Sequence, residues 1–94
     1  MDEQLQELRD KMMEVDTAGR LRIQLETWSC VSPYVLAQFL EVRPQLIYGY
    51  IKEGRIASVR DNNTQKLWIE EGEALRFAHK YLENRAKRQR RLAV

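Results

Sequence analysis

Apolar residues recur at two different spacings along this chain, and the switches between them divide it into elements. In residues 1–16, Leu5, Leu8, Met12 and Val15 follow 3-4-3 spacing among charged residues and Gln, which predicts an amphipathic helix. Glu7 and Lys11 add a favourable i,i+4 pair. Two heptads are too few for a free coiled coil, so the stripe needs a surface to rest on. Its acidic character and its place ahead of the central motif favour a second copy of the chain. Residues 21–28 fit two patterns. Leu21, Ile23 and Leu25 alternate with polar residues as in a half-buried strand, while Leu21, Leu25 and Trp28 fit one face of a helix. The helix-forming Gln, Leu, Glu and Arg tip the balance to helix. Residues 1–27 then form an N-terminal helical segment, and 28–31 an extended lead-in.

The central stretch is more sharply written. Ser32 and Pro33 are a helix start: the Ser hydroxyl caps free N–H groups, and Pro at the first helical position gives up an N–H that had no partner. The helix 33–40 turns inward Val35 or Leu36, with Phe39 and Leu40. Ala37 is small, as a close helix crossing requires. Glu41, Val42 and Arg43 form a turn, with Val42 pointing inward. Pro44 opens a second helix over 44–53, with Ile47, Tyr50 and Ile51 inside and Gln45, Leu46, Tyr48, Gly49 and Lys52 outside. Gly54 suits a left-handed helix end. Gly49 in mid-helix costs roughly 1 kcal/mol relative to Ala, which points to the close approach of another backbone. Residues 55–60 alternate as a strand. A flexible polar loop over 61–64 leads to a returning strand over 66–69. The last helix covers 70–88, with an acidic start, an inner stripe of Leu75, Ala78 or His79, and Leu82, and aromatic bulk from Phe77 and Tyr81.

Charge is unevenly placed along the chain. Residues 1–31 hold 4 Lys/Arg against 7 Asp/Glu, net −3, and residues 32–94 hold 12 against 7, net +5. Arg85, Lys87, Arg88, Arg90 and Arg91 form a basic run, so that residues 85–94 read as a basic tail suited to a polyanion. The 94 residues, 44% of them apolar, suffice for one domain with a single core. The acidic first ten residues lack the apolar stretch of a secretory leader, and no apolar run is long enough for a bilayer. Cys30 is the only cysteine, which excludes an internal disulfide and points to a cytoplasmic protein. With one His and one Cys there is no metal set. No nucleophile and base, phosphate loop or carboxylate pair is assembled, so neither enzyme activity nor a cofactor is expected. Trp28, Trp68, Tyr34 and Phe77 fall on inward positions and read as core rather than as a base-stacking platform.

The stretch of roughly residues 28–78, within a domain read as 28–84, resembles the excisionase and MerR-like family of winged helix-turn-helix DNA-binding domains. The resemblance rests on Val42, then Ile47 and Tyr48, then Tyr50, Ile51, Lys52, Glu53, Gly54, Arg55 and Ile56, then Val59 and Arg60. Ala37 and Leu40 take the small and apolar places of the first helix, and Ile69 with residues 70–77 the closing strand and helix. It implies a mainly α fold with a small antiparallel hairpin: a winged helix-turn-helix with an added N-terminal helix. It also implies sequence-specific binding of double-stranded DNA in a bacterial or phage-infected cell, by a transcriptional regulator or a recombination directionality factor. Residues 44–53 would enter the major groove with the 55–69 wing alongside. The partners implied are duplex DNA, a second copy of the chain, and an integrase or other protein. Candidate DNA contacts are Arg43, Gln45, Tyr48 and Lys52 on and before the second helix. Arg55, Arg60, Asn62, Asn63 and Lys66 join them on the wing, and Arg85, Lys87 and Arg88 on the tail. Glu41 stands where the family usually has Gly, Pro44, Gln45 and Leu46 where basic or hydroxyl residues are common, and Gly49 where Arg is common. That lowers the number of contacts expected from the second helix. A protein-interaction module using Leu46, Tyr48 and Gly49 is the rival reading.

Overall fold

The computed structural model describes residues 3–15, 22–25 and 28–92. They form four helices and a small antiparallel sheet. The elements are α1 (Glu3–Val15), β1 (Arg22–Leu25), β2 (Trp28–Val31), α2 (Pro33–Leu40), α3 (Pro44–Lys52), β3 (Val59–Arg60), β4 (Leu67–Glu70) and α4 (Glu71–Leu92). Strand order is β1-β2-β4-β3. No helix among the described residues is long and apolar enough to cross a membrane.

The start of the chain departs from expectation. A helix running through residues 21–28 is not what forms. Arg22–Leu25 is a strand paired with β2, Arg22 opposite Val31 and Leu25 opposite Trp28. Strand pairing wins over helix propensity at 22–25 because β2 is itself anchored on β4, Cys30 opposite Glu70 and Val31 opposite Ile69; Leu21, Glu26 and Thr27 lie outside the described residues. The edge of β2 offers the segment backbone bonds along one side. The segment 1–27 is therefore not one helical unit. The sheet has four strands rather than the two of a single hairpin.

The apolar stripe of helix α1 rests on its own domain. Met12 is wholly buried, Leu5 and Leu8 pack on the core, and Arg9 forms an ion pair with Glu71 at the start of α4. The 3-4-3 stripe that seeks a surface finds α2 and α4.

Helix α2 begins as its residues dictate. Ser32 Oγ accepts from the Tyr34 N–H at 3.2 Å, with Pro33 in the first turn. Val35, Leu36, Ala37 and Leu40 are buried, while Phe39 only borders the core. The helix ends on Glu41, which adopts the left-handed conformation with φ 58°. The Val42 N–H donates to the Ala37 carbonyl at 2.9 Å and the side chain packs at the edge of the core. Helix α3 buries Ile47 fully and Tyr50 and Ile51 in part.

The expected strand over 55–60 is only Val59–Arg60. The Arg55 and Ile56 N–H groups instead turn back to the Tyr50 carbonyl, at 2.9 and 3.4 Å, closing the end of α3 around Gly54 at φ 80°. Amides spent there cannot serve a strand. Ile56 then drops into the core. Glu70 ends β4 rather than opening α4. It caps that helix, with Oε1 accepting from the Gly72 N–H at 3.2 Å. Ala74, Leu75 and Ala78 are the buried side of α4.

Met12 decides whether α1 belongs to the domain. Met12→Ala should lower stability by about 2–4 kcal/mol in chemical denaturation. A loss below about 1 kcal/mol would mean that α1 contributes nothing to the core.

Candidate nucleic-acid interface

Helices α2 and α3 are joined by Glu41, Val42 and Arg43, and this junction is the centre of the candidate site. Arg43 is the residue before the first turn of α3, extended at φ −72°, ψ 142°, and no side chain caps the helix there. Pro44 has no N–H and the Leu46 N–H donates to the Arg43 carbonyl at 3.0 Å, so the Gln45 N–H and the exposed Arg43 side chain are what the positive end of the helix dipole presents. Gln45 and Lys52 are exposed at the two ends of the same helix. A Cβ built on Gly49 would meet nothing within 4 Å. No close packing within the chain requires glycine there.

Tyr48 is not a free donor on this face. It lies half-buried against Tyr34, ring centroids 6.0 Å apart and nearly perpendicular. Burial first, then the charge of Tyr34 and a hydrogen bond to it, push the Tyr48 hydroxyl above its ordinary pKa. Tyr34 itself is 52% exposed, which corrects its reading as core. The outward spacing of Tyr34, Gln38 and Glu41 on α2 was the signal for this. Of the other aromatics, Trp68 is buried with its indole N–H unpartnered, and Phe77 is half-buried against Tyr50 and Tyr81. The Trp28 side chain lies outside the described residues. Leu46, 39% exposed, adds apolar surface to α3.

The tip between β3 and β4, expected as a flexible loop, is crossed by several hydrogen bonds. Asp61 organises it. Its Oδ1 accepts from the Asn63 N–H and its Oδ2 from the Thr64 hydroxyl, both at 3.0 Å, while its own N–H donates to the Lys66 carbonyl at 2.9 Å. Gln65 completes the turn at φ 63°. Arg60 Nη1 donates to the Gln65 carbonyl at 2.8 Å. Asn62, Asn63 and Lys66 remain exposed around this frame. A groove of about 660 Å³ opens on the wing, lined by Cys30, Arg60, Asp61, Asn62, Glu70 and Glu73 among others. Three carboxylates give it the wrong sign for phosphate. Burial and the Glu70 carboxylate also hold the Cys30 thiol above its ordinary pKa.

The basic tail is a helix, and one of its residues is bound to the junction. Arg85 Nη1 donates to the Leu40 carbonyl at 3.1 Å, and the guanidinium lies 5.6 Å from the Tyr81 ring. A carbonyl left open at the end of α2 is thereby satisfied, and the basic run is tied to the turn. Lys87 lies about 200° around the helix from Arg85, since each residue turns about 100°; Arg88 lies nearer the Arg85 side. Both are exposed. Arg55 stacks over the Tyr50 ring at 4.4 Å, with Glu53 3.9 Å away. Of the twelve candidates, Arg55, Arg60, Arg85 and Tyr48 thus already have partners within the chain. Arg43, Gln45, Lys52, Asn62, Asn63, Lys66, Lys87 and Arg88 face outward. Among the described residues no group of His, Cys, Asp and Glu is gathered for a metal ion. No family model, curated protein or solved structure matches the chain.

The left-handed Glu41 costs roughly 1–2 kcal/mol relative to a right-handed residue. Glycine would relieve that strain at some entropic cost. Glu41→Gly should therefore raise stability by about 0.5–1 kcal/mol in thermal or chemical unfolding. A destabilised variant would show that the Glu41 side chain does something the backbone strain conceals.

Proposed function

We propose that this chain is a winged helix-turn-helix protein that binds duplex DNA and carries out no chemistry. In this reading α2 and α3 are the helix-turn-helix, β3 and β4 the wing, and α3 the helix that enters the major groove. One observation supports it: Arg43, Gln45 and Lys52 are exposed along α3, with no side chain capping its N-terminus among the described residues, and Arg85 ties the basic helix end to the same junction. Arg43 and the α3 N-terminus suit a phosphate, since both offer donors and positive charge. Gln45 suits an adenine edge, to which its amide donates and accepts. Lys52, Lys66 and Arg88 supply contacts to the backbone that position the protein without reading sequence. Gly49 leaves room for the duplex to approach the helix.

A single module of this size buries modest area and binds weakly alone. The protein acts as a transcriptional regulator or as a factor that steers a recombinase such as an integrase, from several copies on adjacent sites.

The apolar surface of Tyr34 and Leu46, 52% and 39% exposed, supports a second reading, a protein-interaction module on the same scaffold. Binding to duplex DNA separates the two. Arg43, Lys52, Lys66 and Arg88 are four exposed cations, so log K against log salt should fall with a slope of about −3 to −4. Lys52→Ala should weaken binding to all sequences alike and flatten that slope by about 1. Absence of any complex with random or selected duplexes at low salt, together with a tight complex with another protein, would replace the DNA reading by the second.

Gly49→Ala tests the reserved space. It should stabilise the free protein by about 0.5–1 kcal/mol, because alanine restores helix propensity where no atom obstructs it. It should also weaken duplex binding in the same preparation. A stabilised variant with unchanged affinity would mean that nothing approaches that face of α3.

A further inference from the structure

Two exposed stripes of opposite charge match in spacing. On α1, Glu3, Glu7, Asp10 and Glu14 are all exposed and stand at 4-3-4 intervals, which places them on one face of the helix within about 60°. This face lies away from Leu5, Leu8 and Met12, which dock α1 on the domain. Asp10 accepts a bond from Gln6 at 3.1 Å, and none of the four is paired with a cation among the described residues. Lys11 borders the stripe.

On α4, Lys80, Asn84, Lys87 and Arg91 are exposed at the same 4-3-4 intervals, with Arg90 and Arg88 on either side. A shallow groove of about 390 Å³ runs beside them, lined by His79, Leu82, Glu83, Ala86, Lys87 and Arg90. All six belong to α4, so among the described residues no other element covers this face. Glu83, the one acid there, lies 3.5 Å from His79.

We propose that the acidic face of α1 docks on the basic face of α4 in a second copy of this chain. Each stripe spans twelve residues, about 17 Å of helix at 1.5 Å per residue. The 4-3-4 spacing reads the same in both directions, so every carboxylate meets Lys80, Asn84, Lys87 or Arg91 whichever way the helices run. Within one copy the pairing is blocked, because the opposite side of α1 is already packed against the domain. Arg85 plays no part, being turned towards Leu40. Exposed ion pairs are individually weak, so the association is of low affinity and strongly dependent on salt. The contact stands on the free protein and does not rest on the DNA reading.

The test measures mass by sedimentation equilibrium of the full chain, without nucleic acid, at high protein concentration. At about 10 mM salt, where the Debye length is about 30 Å, the average mass should exceed 11.2 kDa. At about 1 M salt, where it is about 3 Å, the mass should return to that of one chain. Two charge-reversed variants, E3K/E7K/E14K and K80E/K87E/R91E, should each be monomeric alone and associate when mixed. Their far-ultraviolet circular dichroism should match the parent, since every changed position is exposed. For any variant that loses its fold, the neutral E3Q/E7Q/E14Q and K80Q/K87Q/R91Q take its place, each expected to be monomeric at low salt. A parent that is monomeric at both salt concentrations would overturn the proposal. So would association that persists in both reversed variants, or folded reversed variants that fail to associate on mixing.

Discussion

The burial of α2 is the constraint on which the rest of the molecule depends. Eight residues hold Val35, Leu36, Ala37 and Leu40 with almost no surface exposed. A helix that short has no independent stability, and it exists because neighbours close on it from several sides. Met12 comes from α1, Ile47 from α3, Ile69 from β4, and Leu75 and Ala78 from α4, all joined in one core. Only the stripe of Tyr34, Gln38 and Glu41 is left outward. Both ends of α2 are therefore held by named bonds: Ser32 at the start, and at the finish Arg85 on the Leu40 carbonyl. With α2 fixed, the turn that leaves it sets the direction of α3, and hence the face that α3 presents.

This centre was legible in the residues because its signals are local. Ser32 and Pro33, the two prolines opening helices, and Gly54 act within a turn of themselves. They set the bounds of α2 without error and those of α3 to within a residue. The misreadings have a different physical character. Residues 22–25 satisfy helix and strand patterns alike, and the choice is made by pairing with a β2 that β4 holds in place. Residues 55 and 56 alternate like a strand, yet their amides are claimed by the Tyr50 carbonyl. The site was legible as a set of cations but not as a set of free ones. Arg60 and Arg85 are held by the backbone carbonyls of Gln65 and Leu40. Every residue owns such a carbonyl, so this kind of partner leaves no mark in the sequence.

Two neighbouring positions show a cost that the fold itself does not require. Glu41 occupies a left-handed position where glycine would sit without strain. Gly49 occupies an open helical position where alanine would be better. Stability explains neither residue, because each is unfavourable to the fold. Removing the side chain at position 49 opens the helix backbone to whatever approaches, and the outward charges then lie at the two ends of α3 rather than along its middle.

The cations divide by chemistry as well as by place. Three of the candidate arginines, Arg55, Arg60 and Arg85, use the planar guanidinium on rings and carbonyls. The lysines at 52, 66, 80 and 87 are all exposed, and an ammonium on a flexible stem acts chiefly as a point charge. Arginine thus builds the frame of the candidate site, and Arg43 and Arg88 together with the lysines supply its field. Helix α4 carries both roles on different sides. The side with Tyr81 and Arg85 locks the junction of α2 and α3, and the side with Lys80 and Lys87 stays open. Because one rigid helix carries both, whatever binds the open side bears on an element already bonded to the turn.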